Sequence, residues 1–370
     1  MGNWRGSLEN MAINKNFWKG KKVLVTGHTG FKGSWLSLWL QSLGAEVIGV
    51  SLDVPSTPSL YEQANVSENM ISLRQDIRDV VAIRKIFQDH LPEIVFHLAA
   101  QPLVRLSYRE PVETYETNVM GTLHVLEGIR SVDSVRSAVM ITTDKCYQNK
   151  EWVWGYRETD TLGGHDPYSS SKAAAELLIS SYRESYFPQD KYGEHKTAIA
   201  SARAGNVVGG GDWADDRLIP DIIRAFQNNK EVVIRNPKST RPWQHVLEPL
   251  SGYLKLAEQL EKNGDQYAEA WNFGPAEIDA RPVQWLVEKM AKLWGENANW
   301  INDDTNHPHE ANYLRLDCSK ANNKLNWHPK WSLCQTLSKI VEWHKLDCSD
   351  NKCRDLCLDQ INEYMDRVNS

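Results

Sequence analysis

Residues 22–33 read KVLVTGHTGFKG, an apolar run that passes into a glycine-rich turn. Residues 22–26 have the pattern of a buried strand, and the apolar spacing of residues 30–43 predicts a helix directly after the turn. Glycines allow a tight turn, and the free N–H groups of a helix start can bind a pyrophosphate. The spacing is G-x-x-G-x-x-G, and many strand–helix turns need glycine for geometry alone. At the first strand of a chain the pattern favours a dinucleotide-binding loop with these ligands: Gly27, Thr29, Gly30, Phe31, Lys32 and Gly33.

Strand and helix patterns alternate downstream of this loop. Residues 46–50, 94–98 and 138–142 predict strands, and residues 111–130 predict a helix. Alternation of this kind indicates an α/β fold with a doubly wound parallel sheet of the Rossmann type. The pattern changes near residue 205, where three glycines and then longer helical segments follow.

We therefore divide the chain as follows. A dinucleotide-binding domain is expected over 17–205 and a smaller, mixed α/β substrate lobe mainly over 206–345, with crossings back between them. Residues 1–16 are interpreted as a leader and residues 346–370 as a tail.

Composition narrows the class of protein. The chain has 370 residues, of which 41% are hydrophobic and 24% charged, a balance that excludes disordered, collagen-like and coiled-coil proteins. A net charge of −6 predicts no nucleic-acid partner, and no apolar run approaches the roughly 18 residues of a membrane span. Six scattered cysteines favour reduced thiols in the cytoplasm. Cys353 and Cys357 lie four apart but lack further ligands, so no metal site is predicted.

Two acidic positions are candidates for the adenosine end of a dinucleotide. Asp53 lies 20 residues after Gly33, where an acid would bind the ribose 2′-hydroxyl and favour NAD over NADP. Asp53 can equally be a turn residue, and Ser51 can occupy the strand end instead. Asp76 and Ile77 end a third predicted strand and could reach adenine, although Asp76 could equally cap the next helix.

A second motif lies near the middle of the chain. Tyr168 and Lys172 are four apart in a segment that predicts a helix, so their side chains share one face. An ammonium beside a phenol stabilises the phenolate, which would let Tyr168 act as a base near neutral pH. Y-x-x-x-K alone is common, but here it follows a dinucleotide loop and a strand ending at Thr143. The combination, with residues 97–100 (HLAA) and Asn118, resembles the extended short-chain dehydrogenase/reductase family.

Asp144 and Lys145 add an acid and a base directly after Thr143. Epimerisation needs neither group, and the addition resembles the nucleotide-sugar 4,6-dehydratases of that family, most of which carry Thr-Asp-Glu here. The lysine, together with residues 146–147 (CY), 209–213 (GGGDW) and 241–246 (RPWQHV), resembles the branch that acts on CDP-glucose. The resemblance covers residues 17 to about 345.

The resemblance implies a mechanism with NAD that is recycled within each turnover. Tyr168 removes the proton of the sugar 4-hydroxyl, Thr143 hydrogen-bonds that oxygen, and Lys172 holds the cofactor ribose and lowers the Tyr168 pKa. Asp144 protonates the departing 6-hydroxyl, and hydride returns to C6 to give a CDP-4-dehydro-6-deoxy sugar for lipopolysaccharide O-antigen synthesis. Lys145 stands where relatives place the glutamate that handles the C5 proton, a role open to lysine only if burial or charge lowers its pKa.

Further contacts are implied by the resemblance alone. Cofactor contacts are implied at Ala99, Gln101 and Asn118, and CDP-glucose contacts at Asn206, Arg217, Leu218, Arg235, Arg241, His245 and His309. Arginine forks suit a diphosphate, although a single arginine is more often a solvated surface residue. His309 lies in residues 307–310 (HPHE), which lack the arginine that relatives often carry there. Helices at 111–130 and 166–186 are expected to pair in a homodimer, with a tetramer left open.

Three alternatives stay open at this point. The first is a 4-epimerase or decarboxylase, against which Asp144 and Lys145 argue. The second is a 4,6-dehydratase acting on a dTDP- or GDP-sugar, because no residue pattern derives cytosine. The third is a non-catalytic NAD-binding regulator, against which the intact Thr143, Tyr168 and Lys172 argue.

Overall fold

The computed structural model describes residues 13–295, 298–303, 314–349 and 351–369. The strands in chain order are β1 (Lys22–Thr26), β2 (Glu46–Ser51), β3 (Ile71–Arg74), β4 (Ile94–His97), β5 (Ser137–Ile141), β6 (Ala198–Arg203), β7 (Val207–Val208), β8 (Val232–Ile234), β9 (Thr240–Pro242), β10 (Gln244–His245), β11 (Ala270–Asn272), β12 (Ala280–Pro282) and β13 (Trp300–Asn302). Among these residues, seven strands form one parallel sheet in the order β11–β6–β5–β4–β1–β2–β3.

The strand order reverses at β1, which pairs with β2 on one side and β4 on the other. Val23, Leu24 and Val25 are fully buried, as a central parallel strand with both faces covered requires. At such a reversal the carboxyl ends of the strands leave a crevice for a ligand. The predicted doubly wound sheet is confirmed, and the glycine turn lies at this crevice.

The helices in chain order are α1 (Lys15–Trp18), α2 (Phe31–Ser42), α3 (Leu60–Gln63), α4 (Val80–His90), α5 (Val104–Arg109), α6 (Pro111–Tyr115), α7 (Gly121–Arg130), α8 (Pro167–Ser185), α9 (Tyr192–His195), α10 (Leu218–Gln227), α11 (Leu247–Lys262), α12 (Gly264–Tyr267), α13 (Val283–Trp294), α14 (Ser319–Lys324), α15 (Leu333–Lys345) and α16 (Lys352–Asn369). Helices α4, α7 and α8 cover the sheet face that carries Leu24. Helices α2 and α11 cover the opposite face, which carries Val23 and Val25. Successive residues of β1 therefore serve two separate cores.

The second lobe has an apolar core of its own, formed by α10, α13, α15 and β8. Its two-stranded sheets pair β7 with β10, β9 with β12, and β8 with β13. Helix α11 lies within this part of the chain but packs on β5 and β6 of the main sheet. The chain therefore crosses between the two regions more than once.

Helix α16 packs against the outer side of α2. Trp39 Nε1 donates to Met365 Sδ at 3.3 Å, and the Tyr364 hydroxyl donates to the buried Glu248 carboxylate. Cys348 and Cys353 form a disulfide with their Cα atoms 4.9 Å apart. For this pair the expectation of reduced thiols is wrong, because the turn before α16 creates a proximity that sequence spacing does not reveal. In the described part of the chain, no helix has the length and apolar character needed to cross a bilayer.

Candidate active site

The glycine turn between β1 and α2 is held by two close backbone approaches. Gly27 has a φ of +77°, and a Cβ there would lie 2.8 Å from the Ala99 nitrogen. A Cβ on Gly33 would overlap the Gly27 carbonyl oxygen and lie 2.8 Å from the His28 Cα. Helix α2 begins at Phe31 with Gly30 as its cap and no side chain bonded to its first N–H groups. These donors at the mouth of the crevice suit the pyrophosphate of a dinucleotide.

The candidates for the ribose contact lie together at the end of β2. Ser51 is buried, and its hydroxyl hydrogen-bonds the Thr29 hydroxyl at 2.7 Å. The Asp53 side chain is 92% exposed and pairs with Arg74 Nε at 3.1 Å. The structure thus places Asp53 beyond the strand end and Ser51 beneath the loop, and Asp53 as the ribose ligand stays a prediction.

Asp76 and Ile77 lie just beyond β3, which ends at Arg74, three residues before the predicted strand end at Ile77. Asp76 accepts from Arg78 Nε at 2.9 Å. The helix cap of α4 is Asp79, which accepts from two backbone N–H groups, so the alternative role for Asp76 does not hold. Ile77 is buried in the core between the sheet and α7.

Asn118 connects the end of β4 to α8. It lies in a π-helical turn, Glu116–Met120, between α6 and α7, and such turns are frequent at functional sites. Its Oδ1 accepts from the Gln101 backbone N–H at 2.8 Å, and its Nδ2 donates to Ser171 Oγ at 2.9 Å. The Ala99 N–H donates to Thr26 Oγ1 at 3.1 Å. Ala99, Gln101 and Asn118 thus border one crevice with the glycine turn.

Tyr168 and Lys172 lie on the first turns of α8, which Asp166 caps. Both side chains are buried, and that of Tyr168 hydrogen-bonds Thr143, which lies two residues beyond the end of β5. Burial raises the pKa of Tyr168 to about 12, although its hydrogen bond with the Thr143 hydroxyl acts in the opposite direction. Burial also lowers the pKa of Lys172 to about 8, and its Nζ donates to the Ile141 carbonyl oxygen at 3.4 Å. The structure therefore differs from the expected low phenol pKa, because burial outweighs the neighbouring charges.

Asp144 is 2% exposed, which excludes a surface ion pair. Burial raises its pKa, although the charges of Lys145, Lys32 and Arg241 act against that effect, and the Thr143 hydroxyl donates to its Oδ1 at 3.0 Å. A Cβ on Gly205 would overlap the carboxylate, so this glycine makes room for the acid. An acid with a raised pKa can hold a proton for a leaving group. Lys145, in contrast, is exposed to solvent.

A group of cations surrounds the acid. Burial, and then the charge of Arg217, lowers the pKa of Lys32 to about 8. Arg217, the residue before α10, donates from Nη1 to Asp212 Oδ2 at 3.1 Å, and Leu218 begins that helix. Sequence reasoning missed Gly205 and Asp212, because nothing local marks a glycine that faces a carboxylate or an acid that orients an arginine.

The other proposed substrate residues lie in different surroundings. His245 is fully buried between Trp35 and Trp331, with its Nδ1 accepting from the Leu247 N–H, so its contact with a substrate stays a prediction. Asn206 follows β6 with a φ of +49°, a left-handed conformation that asparagine tolerates. Arg235 follows β8 and is half-buried. His309 lies outside the described residues.

Comparison with known proteins places this site in a family. The model of the family described as GDP-mannose 4,6 dehydratase matches residues 24–340. The chain is 59% identical to a CDP-glucose 4,6-dehydratase of Salmonella typhimurium, over 90% of this chain and 93% of that protein.

Two solved structures share the fold. A UDP-glucose 4-epimerase of Thermotoga maritima, solved with UDP-glucose, has a TM-score of 0.74 at 25% identity and covers 87% of this chain and 98% of its own. A dTDP-glucose 4,6-dehydratase of Bacillus anthracis, solved with NAD, has a TM-score of 0.70 at 20% identity and covers 91% of this chain and 100% of its own. With its glycine turn, Tyr168–Lys172 pair and buried Asp144, the chain belongs to the GDP-mannose 4,6-dehydratase family.

Proposed function

We propose that the protein is an NAD-dependent CDP-glucose 4,6-dehydratase. The reaction oxidises the sugar at C4, eliminates water across C5 and C6, and then reduces the resulting double bond with a hydride at C6 and a proton at C5. The product is CDP-4-dehydro-6-deoxy-D-glucose. The observation that carries the proposal is the buried Asp144 beside Thr143 and Tyr168, because oxidation and epimerisation at C4 use no such acid. The 59% identity to the Salmonella typhimurium enzyme supports CDP-glucose as the substrate.

The residues of the crevice fit NAD. The close approaches at Gly27 and Gly33 and the uncapped start of α2 favour a pyrophosphate at the turn formed by Gly27, Thr29, Gly30, Phe31, Lys32 and Gly33. The adenosine half of the dinucleotide would be held by Asp53, Asp76 and Ile77. The other half of the dinucleotide would be held by Ala99, Gln101, Asn118 and Lys172. When bound, NAD supplies a hydride acceptor for C4 and a hydride donor for C6.

Tyr168 takes the proton of the 4-hydroxyl in the first stage. Thr143 donates a hydrogen bond to the same sugar oxygen, and the ammonium of Lys172 stabilises the phenolate. With the pKa of Tyr168 raised to about 12 by burial, this proton transfer is unfavourable until substrate and cofactor alter the charge around the phenol.

Asp144 serves the second stage, the loss of the 6-hydroxyl. Burial raises its pKa, which favours the protonated carboxyl that can give a proton to the departing oxygen. The 4-ketone acidifies the C5 proton, and Lys145 stands where relatives place a glutamate that receives it. Because Lys145 is exposed in the structure, this role requires that the bound substrate lower the pKa of Lys145. The charges of Lys32 and Arg241 act on Asp144, and the charge of Arg217 acts on Lys32. We assign Arg217 and Arg241 to the diphosphate of the substrate.

The proposal includes a homodimer in the cytoplasm. Val112, Tyr115 and Met120 on the α6–α7 segment and Leu177 on α8 are exposed apolar side chains, which supports pairing through these helices. The cytoplasmic assignment is supported by four cysteines that are free thiols, whereas the Cys348–Cys353 disulfide counts against it. The free thiols are Cys146, Cys318, Cys334 and Cys357.

The test is incubation of the NAD-loaded enzyme with CDP-glucose, dTDP-glucose or a GDP-sugar, followed by alkali. A 4-keto-6-deoxy sugar then gives an ultraviolet band, which we expect with CDP-glucose, and Asp144→Asn should lose the band while keeping the C4 oxidation step. A band that forms only with dTDP-glucose or the GDP-sugar would keep the dehydratase reaction and assign that nucleotide sugar as the substrate. No band, with a C4 epimer seen by NMR, would overturn the dehydratase assignment in favour of an epimerase.

A further inference from the structure

A buried ion pair lies directly beneath the catalytic residues. Glu176, on α8 one turn after Lys172, is 2% exposed, and Arg203 at the end of β6 is 3% exposed. Arg203 binds Glu176 in a two-pronged manner, with Nε to Oε1 at 2.9 Å and Nη2 to Oε2 at 2.8 Å. Ser201 Oγ also donates to Glu176 Oε2 at 2.7 Å. Every oxygen of this carboxylate is thus satisfied inside the protein.

The pair contacts both ends of the catalytic segment. At the start of the segment, the Thr142 hydroxyl donates to Glu176 Oε1. At its end, Arg203 Nη1 donates to the Tyr147 hydroxyl at 2.7 Å, and that hydroxyl donates to Asn272 Oδ1 at 2.8 Å. Thr143, Asp144 and Lys145 lie between these two anchors. One ion pair therefore fixes both sides of the turn that carries the acid.

The same carboxylate acts on Lys172. Burial lowers the pKa of Lys172, and Glu176 is the largest influence in the opposite direction, with Cys146 of the catalytic turn next. Lys172 in turn acts on Lys32 of the glycine turn and on the neutral His97 of β4. These are the titratable groups that face the ammonium from the neighbouring elements.

Stability alone does not account for this arrangement. A buried ion pair costs desolvation that its attraction offsets only in part, so apolar residues of similar size would serve the core as well. Here the pair binds Thr142 and Tyr147, the two ends of the segment that contains Thr143, Asp144 and Lys145.

We propose that Glu176 and Arg203 are positioning residues of the dehydration reaction: they set the conformation of residues 142–147, and Glu176 acts on Lys172 from one helical turn away. This inference rests on the proposed function for its kinetic consequences. Its structural half, the fixing of residues 142–147, does not depend on the substrate.

The test compares Glu176→Gln with Glu248→Gln, which alters another buried, fully bonded carboxylate away from the catalytic residues. In Glu176→Gln we expect kcat with CDP-glucose to fall about 100-fold, because a catalytic group that is displaced by about 1 Å loses rate by this amount. The KM should stay within threefold of the wild-type value. The alkaline limb of the kcat–pH profile should move to lower pH, because Lys172 loses its charge sooner. Glu248→Gln should leave kcat and the limb unchanged.

A second readout needs no turnover. Deuterium uptake by residues 142–147 should rise in Glu176→Gln and not in Glu248→Gln, and Glu176→Asp, which restores the charge, should recover part of kcat. Unchanged uptake and an unmoved alkaline limb, with only a lower melting temperature, would overturn the proposal. If the wild-type protein does not convert CDP-glucose, the proposed function fails, and the uptake experiment alone decides the positioning claim. If Glu176→Gln does not fold, Arg203→Lys takes its place in the same measurements.

Discussion

The glycine turn and the surroundings of Asp144 both depend on a glycine, but for different reasons. A Cβ at Gly33 would overlap the backbone of the same turn, at the Gly27 carbonyl oxygen. A Cβ at Gly205 would overlap a side chain, the Asp144 carboxylate. Backbone in a packed turn cannot move aside, whereas a side chain can rotate. The glycine turn is therefore a backbone site made of consecutive residues, and the acid region is a side-chain site assembled from distant ones.

The largest expected effect is that of Gly33→Ala. The added methyl group should separate α2 from the turn and weaken NAD binding by about 100-fold or more, on the order of 3 kcal/mol. Fluorescence titration with NAD measures this effect. Gly193→Ala, at a position with no atom within 4 Å of the added Cβ, is the control and should bind NAD as the wild type does. Normal binding by Gly33→Ala would remove the distinction between the two sites.

Gly205→Ala should have a smaller and more selective effect. The carboxylate of Asp144 would rotate away, so the dehydration rate should fall about 100-fold while NAD affinity stays within threefold. Single-turnover absorbance at 340 nm would follow C4 oxidation and the ultraviolet band would follow dehydration. Equal loss in both steps would mean that the overlap is relieved by movement of the backbone.

The smallest effect concerns Glu248, on the helix that crosses back to the main sheet. Burial raises its pKa to about 7, although the hydrogen bonds from Tyr364 and the Trp331 N–H act against this. A carboxyl whose pKa is raised on folding stabilises the folded state fully below its unfolded pKa, near 4.3, and loses that contribution as pH rises to 7. Melting temperature should therefore fall by a few degrees across this range in the wild type relative to Glu248→Gln. Parallel curves for the two proteins would contradict the raised pKa.

Local signals predicted the parts of the fold that neighbouring residues determine. The bounds of β1 agree with the prediction, and α2 and α8 start and end within one residue of it, because apolar periodicity, glycine and the Asp166 cap all act over a few residues. The same holds for the Tyr168–Lys172 pair.

The sequence could not predict contacts that depend on distances through space. The Glu176–Arg203 pair, the close approach of Gly205 to Asp144 and the burial of His245 all join residues from separate elements. Arg203 and Glu176 are 27 residues apart, and only the packing of α8 against β6 brings them together. The sequence does carry one signal for Glu176: Tyr168, Lys172 and Glu176 are spaced four residues apart, which places all three on one face of a helix.

The packing of α16 on α2 has a consequence for synthesis in the cell. Trp39 and Met365, which are in contact, are 326 residues apart. A ribosome adding 5 to 20 residues each second needs on the order of tens of seconds to cover that interval. Throughout this time Trp39, on the outer face of α2, lacks its final cover, so the nascent chain should be a client of chaperones that hold exposed apolar surface.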